Sequence, residues 1–122
     1  MLNVYYNTIL YRFIAANHLD GSIISAVASG DIPEGSIISL NSSGQAVQCN
    51  ATTIPLGVAR HAAKSGTNLS IEQSCIIENR GVSLGLTPGT RVFAAAAGAV
   101  AATGTNAVGV ALTANRVAIA LS

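Results

Sequence analysis

Residues 33–40 read Pro-Glu-Gly-Ser-Ile-Ile-Ser-Leu, and residues 56–59 read Leu-Gly-Val-Ala. A related pattern returns downstream, where residues 88–93 read Pro-Gly-Thr-Arg-Val-Phe and residues 108–111 read Val-Gly-Val-Ala. In both copies a Pro- and Gly-containing turn precedes a β-branched stretch, which is the pattern of a turn followed by a strand. The chain therefore contains a duplicated β unit, and this unit decides the fold.

The spacing of the two copies is nearly constant. Gly35 recurs 54 residues later as Gly89, and Gly44 recurs as Gly98. The Leu-Gly-Val-Ala stretch recurs 52 residues later, so the loss of two residues from one loop explains the difference. Short β-branched runs separated by turn residues continue through the rest of the chain. They predict an all-β fold, a small barrel or sandwich built from two related β-hairpin units.

Two segments test this interpretation. Residues 93–102 are rich in alanine, which by intrinsic propensity favours a helix. Their counterpart in the first copy reads as a β-hairpin, and Gly98 falls where Gly44 makes the turn, so we predict strand, turn and strand instead. Residues 54–59 are predicted to form a strand in which Gly57 permits a close backbone approach.

The first 21 residues differ from the remainder, because four of the five aromatic residues lie there. We predict an N-terminal arm over residues 1–21 and a β domain over residues 22–122, with the internal repeat at about 33–59 and 88–111. The residues assigned to contacts with a partner or a second subunit are Tyr5, Tyr6, Tyr11, Arg12 and Phe13. Tyrosine gives a large contact area with a polar tip. The alternative, that this segment is the first strand or helix of the core, remains open.

The low content of charged residues limits the kinds of partner that the chain is expected to bind. Only 9% of the residues are charged, against about 25% in an average soluble domain. A chain with so few charges is expected to cover part of its surface with partners, as an oligomer or on a larger assembly. The net charge is +1 and no basic run occurs, so neither nucleic acid nor a membrane surface is expected.

The residues that usually carry chemistry are scattered. The two histidines, His18 and His61, lie in unlike contexts, and no phosphate-loop motif occurs. Cys49 and Cys75 are expected to be buried reduced thiols, with a disulfide across neighbouring strands as the alternative. We expect no enzyme activity, no cofactor and no metal site. A signal peptide is not expected, because polar residues interrupt the apolar stretch near the N-terminus.

Residues 27–121 resemble the phage head-decoration, or capsid cement, proteins. The resemblance rests on the Gly turn, strand, Gly hairpin and hydrophobic-Gly-Val-Ala strand of each copy, and on the final strand at residues 117–121. It implies a structural protein that binds the outer surface of a phage capsid and cements adjacent capsomers. The implied partners are the major capsid protein and the chain itself, as a homotrimer or, alternatively, a dimer. The implied location is the virion exterior, after synthesis in the host cytoplasm.

A second resemblance stays open. Residues 31–38 look like the opening of SAF-type modules, which are found in sugar-binding and pilus or flagellar assembly proteins. This resemblance implies a carbohydrate-binding or assembly-chaperone β module. It accounts for the first copy of the repeat and not for the second.

Overall fold

The structure is a computed structural model that describes residues 11–16, 23–79 and 85–121. These residues form two antiparallel sheets that pack into an all-β sandwich, as the turn and strand pattern predicts. The strands are β1 (Tyr11–Ala16), β2 (Ile23–Val27), β3 (Ile37–Leu40), β4 (Ala46–Gln48), β5 (Gly57–Ala59), β6 (Asn68–Glu72), β7 (Ser74–Asn79), β8 (Arg91–Ala94), β9 (Val100–Ala101), β10 (Ala107–Thr113) and β11 (Arg116–Ala120).

The duplication is visible in the strand order. Sheet 1 has the order β2-β6-β5-β3-β4, and sheet 2 has the order β1-β7-β11-β10-β8-β9. Each strand of sheet 1 has a counterpart five strands later in the chain, so β7-β11-β10-β8-β9 repeats the order of sheet 1. Each copy of the repeat therefore builds one sheet, and β1 is an additional strand at the edge of sheet 2.

The turns repeat with the strands. Gly35 and its counterpart Gly89 have φ angles of 82° and 85°, and Gly44 and Gly98 have φ angles of 77° and 72°. These are left-handed conformations that favour glycine. In the alanine-rich segment, a short 3-10 turn at Ala96–Gly98 separates β8 from β9. The prediction of strand, turn and strand is confirmed, because the sheet partners override the helix propensity of alanine.

Two clusters of buried apolar residues stabilise the two sheets. The cluster between the sheets takes Ile37, Cys49 and Val58 from the first copy, and its residues from the second copy include Ile77, Val92, Val108 and Val117. The second cluster lies on the other face of sheet 1 and includes Ile38, Ala59, Leu69 and Ile71. Both faces of sheet 1 are therefore covered, which explains why every residue of β5 is buried.

Sheet 1 curls without closing into a barrel. A single isolated bridge joins Ala28, just after β2, to Ala46 of β4, and the Ser29 N–H donates to the Ala46 carbonyl at 2.9 Å. A closed barrel needs a continuous ladder between its first and last strands. Of the two predicted architectures, the sandwich is the one observed.

The predicted strand over residues 54–59 is too long. Only Gly57–Ala59 pair as β5, and residues 54–56 form a loop. The reason is local, since Pro55 has no backbone N–H and cannot donate to a ladder.

The N-terminal segment is described in part. Tyr11–Ala16 form β1, which pairs antiparallel with β7, with a register shift between Phe13 and Ala15. The rest of the predicted arm lies outside the described residues. The domain boundary at residue 21 stays a prediction.

Candidate interaction surface

An apolar patch lies where β3 ends beside the loop that leads into β5. Ile54 is 81% exposed and Leu40 is 46% exposed. They border an open depression of about 370 Å³. Its lining consists of Leu40, Thr52, Thr53, Ile54, Pro55 and Leu56, and these six residues are called the Ile54 patch below. The lining contains no charged side chain, so it suits an apolar and neutral partner surface.

Asn50 organises the start of the loop. Its side-chain oxygen accepts hydrogen bonds from the backbone N–H of Thr52 at 2.9 Å and of Thr53 at 3.0 Å. The Thr53 hydroxyl in turn accepts from the Asn50 N–H at 3.0 Å. Asparagine is well suited to this role, because its short amide mimics a turn of the backbone. The loop is therefore shaped by its own sequence before any partner binds.

Residues from both halves of the chain hold the backbone beside Ile54. The Ser39 hydroxyl of β3 donates to the Ile54 carbonyl at 2.8 Å. From the second copy, the Asn106 side-chain amide donates to the Thr53 carbonyl at 2.9 Å. On the far side of Pro55, the Leu56 N–H donates to the Ile38 carbonyl at 2.7 Å. A hydrophobic side chain on a loop held in this way loses little backbone entropy on binding.

A second cluster of polar groups lies inside the sandwich. Glu72 pairs with Val58 in the ladder between β6 and β5, so its side chain lies on the face that meets sheet 2, and it is fully buried. The Arg60 Nε lies 3.8 Å from a Glu72 carboxylate oxygen. Among the described residues, no hydrogen bond reaches either oxygen of that carboxylate.

Burial and the neighbouring Glu72 keep the Cys75 thiol protonated at neutral pH. Burial and the negative charge of Glu72 raise the pKa of the Cys75 thiol to about 12, and the Arg60 charge offsets only part of the increase. The thiolate is the nucleophilic and metal-binding form, so a thiol with this pKa is a poor nucleophile at neutral pH. Cys49 and Cys75 are both buried and free, which agrees with the expectation of reduced thiols and not with a disulfide.

Other candidate residues form no common site in the part of the chain that the structure describes. His61 is exposed, and its Nε2 accepts a hydrogen bond from the Ser70 N–H at 3.2 Å. Within the described ranges, no group of three or more His, Cys, Asp or Glu side chains is placed to hold a metal ion. The same ranges contain no helix that is long and apolar enough to cross a membrane.

The predicted contact residues are only partly located. Tyr11, Arg12 and Phe13 lie in β1 at the edge of sheet 2, whereas Tyr5 and Tyr6 lie outside the described residues. The Ile54 patch was missed because residues 54–59 read as one strand. Pro55 was the available signal, since a proline early in a predicted strand favours a loop.

No protein-family model matches the sequence, and no curated protein matches it.

Proposed function

We propose that this chain is a structural protein that binds the outer surface of a phage capsid and cements adjacent capsomers, as its resemblance to head-decoration proteins implies. The observation that carries the proposal is the Ile54 patch. Ile54 is 81% exposed and borders a depression that it shares with the exposed Leu40, on a loop held by hydrogen bonds from both halves of the chain. Such a side chain is suited to fill an apolar depression on a partner.

Weak single contacts are sufficient when the partner is a symmetric shell that offers many copies of the same surface. Burying one isoleucine contributes about 1.5–3 kcal/mol, which alone gives a weak contact. When several copies bind one symmetric shell, or one oligomer binds at several points, each further contact forms at high effective concentration. Modest apolar contacts then give strong overall binding without a deep pocket.

The experiment is co-sedimentation with empty shells of a phage whose genome encodes the chain. We expect the protein to sediment with expanded shells and not with unexpanded ones. Ile54→Ser removes the most exposed apolar side chain and is expected to weaken binding about 10- to 100-fold, which corresponds to the loss of about 1.5–3 kcal/mol. Val110→Ser is the matched control, because Val110 is 44% exposed on β10 and lies outside the patch.

Three outcomes would contradict parts of the proposal. Equal binding of Ile54→Ser and the unaltered protein would remove the patch from the interface. If Tyr5→Ser and Tyr6→Ser weaken binding in that case, the N-terminal residues make the contact instead. Saturable binding of a free sugar, without sedimentation on any shell, would replace capsid decoration with the carbohydrate-binding alternative.

A further inference from the structure

The two halves of the chain meet through an end of one half and a face of the other. The first half comprises β2 to β6, and the second comprises β7 to β11. The turn at Ala96–Gly98 in the second half lies against the first half, where the Gly98 N–H donates to the Cys49 carbonyl at 2.8 Å. In the same contact, the Asn106 side-chain amide donates to the Thr53 carbonyl at 2.9 Å. We call this turn and Asn106 the inserting end of the second half.

The surface of the first half that meets this end is centred on two paired residues. Ile37 of β3 pairs with Val58 of β5, and both are fully buried in the cluster between the sheets. Gly98 lies close to this surface, since a Cβ on Gly98 would be 2.9 Å from the Ser36 Cβ and 3.2 Å from the Ile37 carbonyl oxygen. We call Ser36, Ile37 and Val58 the receiving face of the first half. The internal contact therefore joins one inserting end to one receiving face.

The repeat gives the first half an inserting end of its own. Gly44 is the counterpart of Gly98. Ile54 is the counterpart of Asn106, which follows it by 52 residues. This end therefore consists of the turn before β4 and the Ile54 patch. It is open, since Ile54 is 81% exposed and no described atom lies within 4 Å of a Cβ built on Gly44.

The second half likewise has a receiving face of its own. Val110 of β10 pairs with Arg91 of β8. The same register joins Val58 to Ile37 in the first half, where both residues are buried. In the second half Arg91 is exposed and Val110 is 44% exposed, as is Leu112 farther along β10. We call Arg91, Val110 and Leu112 the Val110 face.

The contact between the halves is not symmetric. A two-fold contact uses the same patch on both partners, so it would bury both inserting ends and both receiving faces. Here one end and one face are buried against each other, and one end and one face are exposed. A head-to-tail contact of this kind can be repeated from one unit to the next, because each unit keeps a free end and a free face. The two exposed surfaces are therefore the counterparts of two surfaces that are already in contact.

We propose that the Ile54 patch of one subunit packs on the Val110 face of a second copy of this chain, as the second half packs on the first. A second copy is the occupant because it carries the counterpart of the face that the inserting end already meets within the chain. The distribution of exposed apolar side chains agrees with this contact. The described residues include six large apolar side chains that are exposed, and four of them lie on these two surfaces: Leu40, Ile54, Val110 and Leu112.

The differences between counterpart residues suit a contact between subunits. Ile54 takes the place of Asn106, so an apolar contact replaces a hydrogen bond. Arg91 takes the place of Ile37, and its long side chain can lie along the face with the guanidinium at the rim. The guanidinium then offers N–H donors to the exposed turn at residues 42–44 of the other subunit. An apolar centre with arginine beside it is typical of interfaces between proteins.

This inference concerns contacts between copies and goes beyond the proposed function. In the assembly a neighbouring subunit covers the Ile54 patch, so the patch acts on shell binding through the number of joined copies. Joined copies offer the shell several points of attachment, which strengthens binding. Ile54→Ser is therefore expected to weaken sedimentation in this arrangement also.

The first experiment measures mass in solution by light scattering over a range of protein concentrations. We expect the protein to self-associate, and Ile54→Lys and Val110→Lys each to weaken self-association by at least about 10-fold, because each buries a charge in the contact. Both positions are exposed in the single chain, so both variants are expected to fold, which circular dichroism checks. Val27→Lys is the matched control. It adds the same charge at a β2 position that is 38% exposed and lies on neither surface, so its self-association is expected to be unchanged.

The second experiment tests the head-to-tail arrangement by mixing the two variants. Ile54→Lys keeps an intact Val110 face, and Val110→Lys keeps an intact Ile54 patch. Each variant alone is expected to stay monomeric at concentrations where the mixture forms a pair with one subunit of each. The pair is not expected to grow, since its remaining end and its remaining face both carry the added lysine. A two-fold contact would place the two lysines opposite each other in the mixture, so it predicts no such rescue.

Several results would overturn this contact. A protein that is monomeric at every concentration excludes it, as does self-association that survives Ile54→Lys or Val110→Lys unchanged, or a mixture of the two variants that stays monomeric. If the protein is monomeric, and Ile54→Lys abolishes sedimentation on shells while Val110→Lys does not, the patch contacts the shell directly and not a second copy. Self-association without sedimentation on shells leaves this inference intact and removes only the proposed function.

Discussion

The two halves of this molecule have the same strand order and different surroundings. In both, the chain places its strands in the order first, fifth, fourth, second and third across the sheet. The half that forms sheet 2 gains β1 at its edge, whereas in the half that forms sheet 1 the residues that follow β2 bridge to β4. β6 ends in the buried Glu72, whereas β11 ends in the exposed Ala120. The two halves therefore share their strand order and differ in the strands and side chains that surround it.

The closest correspondence between the halves is at the glycines of β5 and β10, and it predicts the largest effect. A Cβ on Gly109 would collide with the Ala118 carbonyl oxygen, and a Cβ on Gly57 would lie 2.6 Å from the Ile71 Cγ2 and 2.8 Å from the Glu72 carbonyl oxygen. We expect Gly109→Ala to lower the free energy of unfolding by about 4 kcal/mol, because backbone must move. Gly57→Ala is expected to cost about 2 kcal/mol, because part of the clash is with a side chain that can shift. Urea unfolding measures both.

Gly30→Ala is the control for these variants. No atom lies within 4 Å of a Cβ built on Gly30, so the change is expected to be nearly neutral. Equal costs for Gly57→Ala and Gly109→Ala would mean that the two close approaches are equivalent. A small cost for Gly109→Ala would show that β10 and β11 lie farther apart than in this structure.

The ion pairs of the two halves differ in burial, which predicts the next effect. Arg60 faces the fully buried Glu72 in the first half, and Arg116 lies 3.1 Å from Glu78 near the surface of the second. Arg60→Met leaves a buried carboxylate without its cation and is expected to cost about 3 kcal/mol. Arg116→Met is expected to cost about 0.5 kcal/mol, since exposed pairs contribute little.

The double variant Arg60→Met/Glu72→Leu separates charge from packing. If the cost of Arg60→Met comes from the unpaired carboxylate, replacing Glu72 as well is expected to restore most of the stability. A double variant as unstable as the single one would show that Arg60 acts through its hydrocarbon chain.

Much of the fold could be predicted from the sequence, because local signals and the repeat agree. The Pro-Gly turns, the β-branched runs and the constant spacing all specify strands, and the repeat settles the alanine-rich segment against its helix propensity. The features that matter for binding depend on what packs against each face. Glu72 alternates with Leu69 and Ile71 as a surface residue would, yet it is buried because its face of sheet 1 meets sheet 2. The different surroundings of the counterpart strands β2 and β7 likewise depend on tertiary packing, since β7 pairs with β1 and the end of β2 bridges to β4.

Cys75 lies on β7, whereas the counterpart strand β2 contains no titratable side chain. The Cys75 thiol makes the free energy of unfolding depend on pH. The pKa of Cys75 is raised from 9.0 to about 12, so between these pH values the folded chain keeps a proton that the unfolded chain releases. Stability is therefore full below pH 9 and falls as pH rises toward 12. The slope contributed by this group is at most about 1.4 kcal/mol per pH unit. Denaturant titrations at stepped pH values measure it.

Cys75→Ala tests the origin of this slope. The variant has no thiol to ionise, so we expect its stability to change less between pH 9 and pH 12 than that of the unaltered chain. Parallel curves for the two proteins would assign the alkaline loss of stability to other groups.

The last expected effect concerns the hydrogen bond by which Asn106 of the second half holds the loop of the Ile54 patch. Asn106→Ala removes the donor to the Thr53 carbonyl and is expected to lower the free energy of unfolding by about 1 kcal/mol. Because Asn106 does not line the patch, its loss acts on binding only through the order of the loop. We expect Asn106→Ala to weaken sedimentation on expanded shells less than Ile54→Ser does, and the Asn106→Ala/Ile54→Ser double variant to bind no more weakly than Ile54→Ser alone. Additive losses in the double variant would place Asn106 itself in contact with the shell, and the interface would then include residues from both halves.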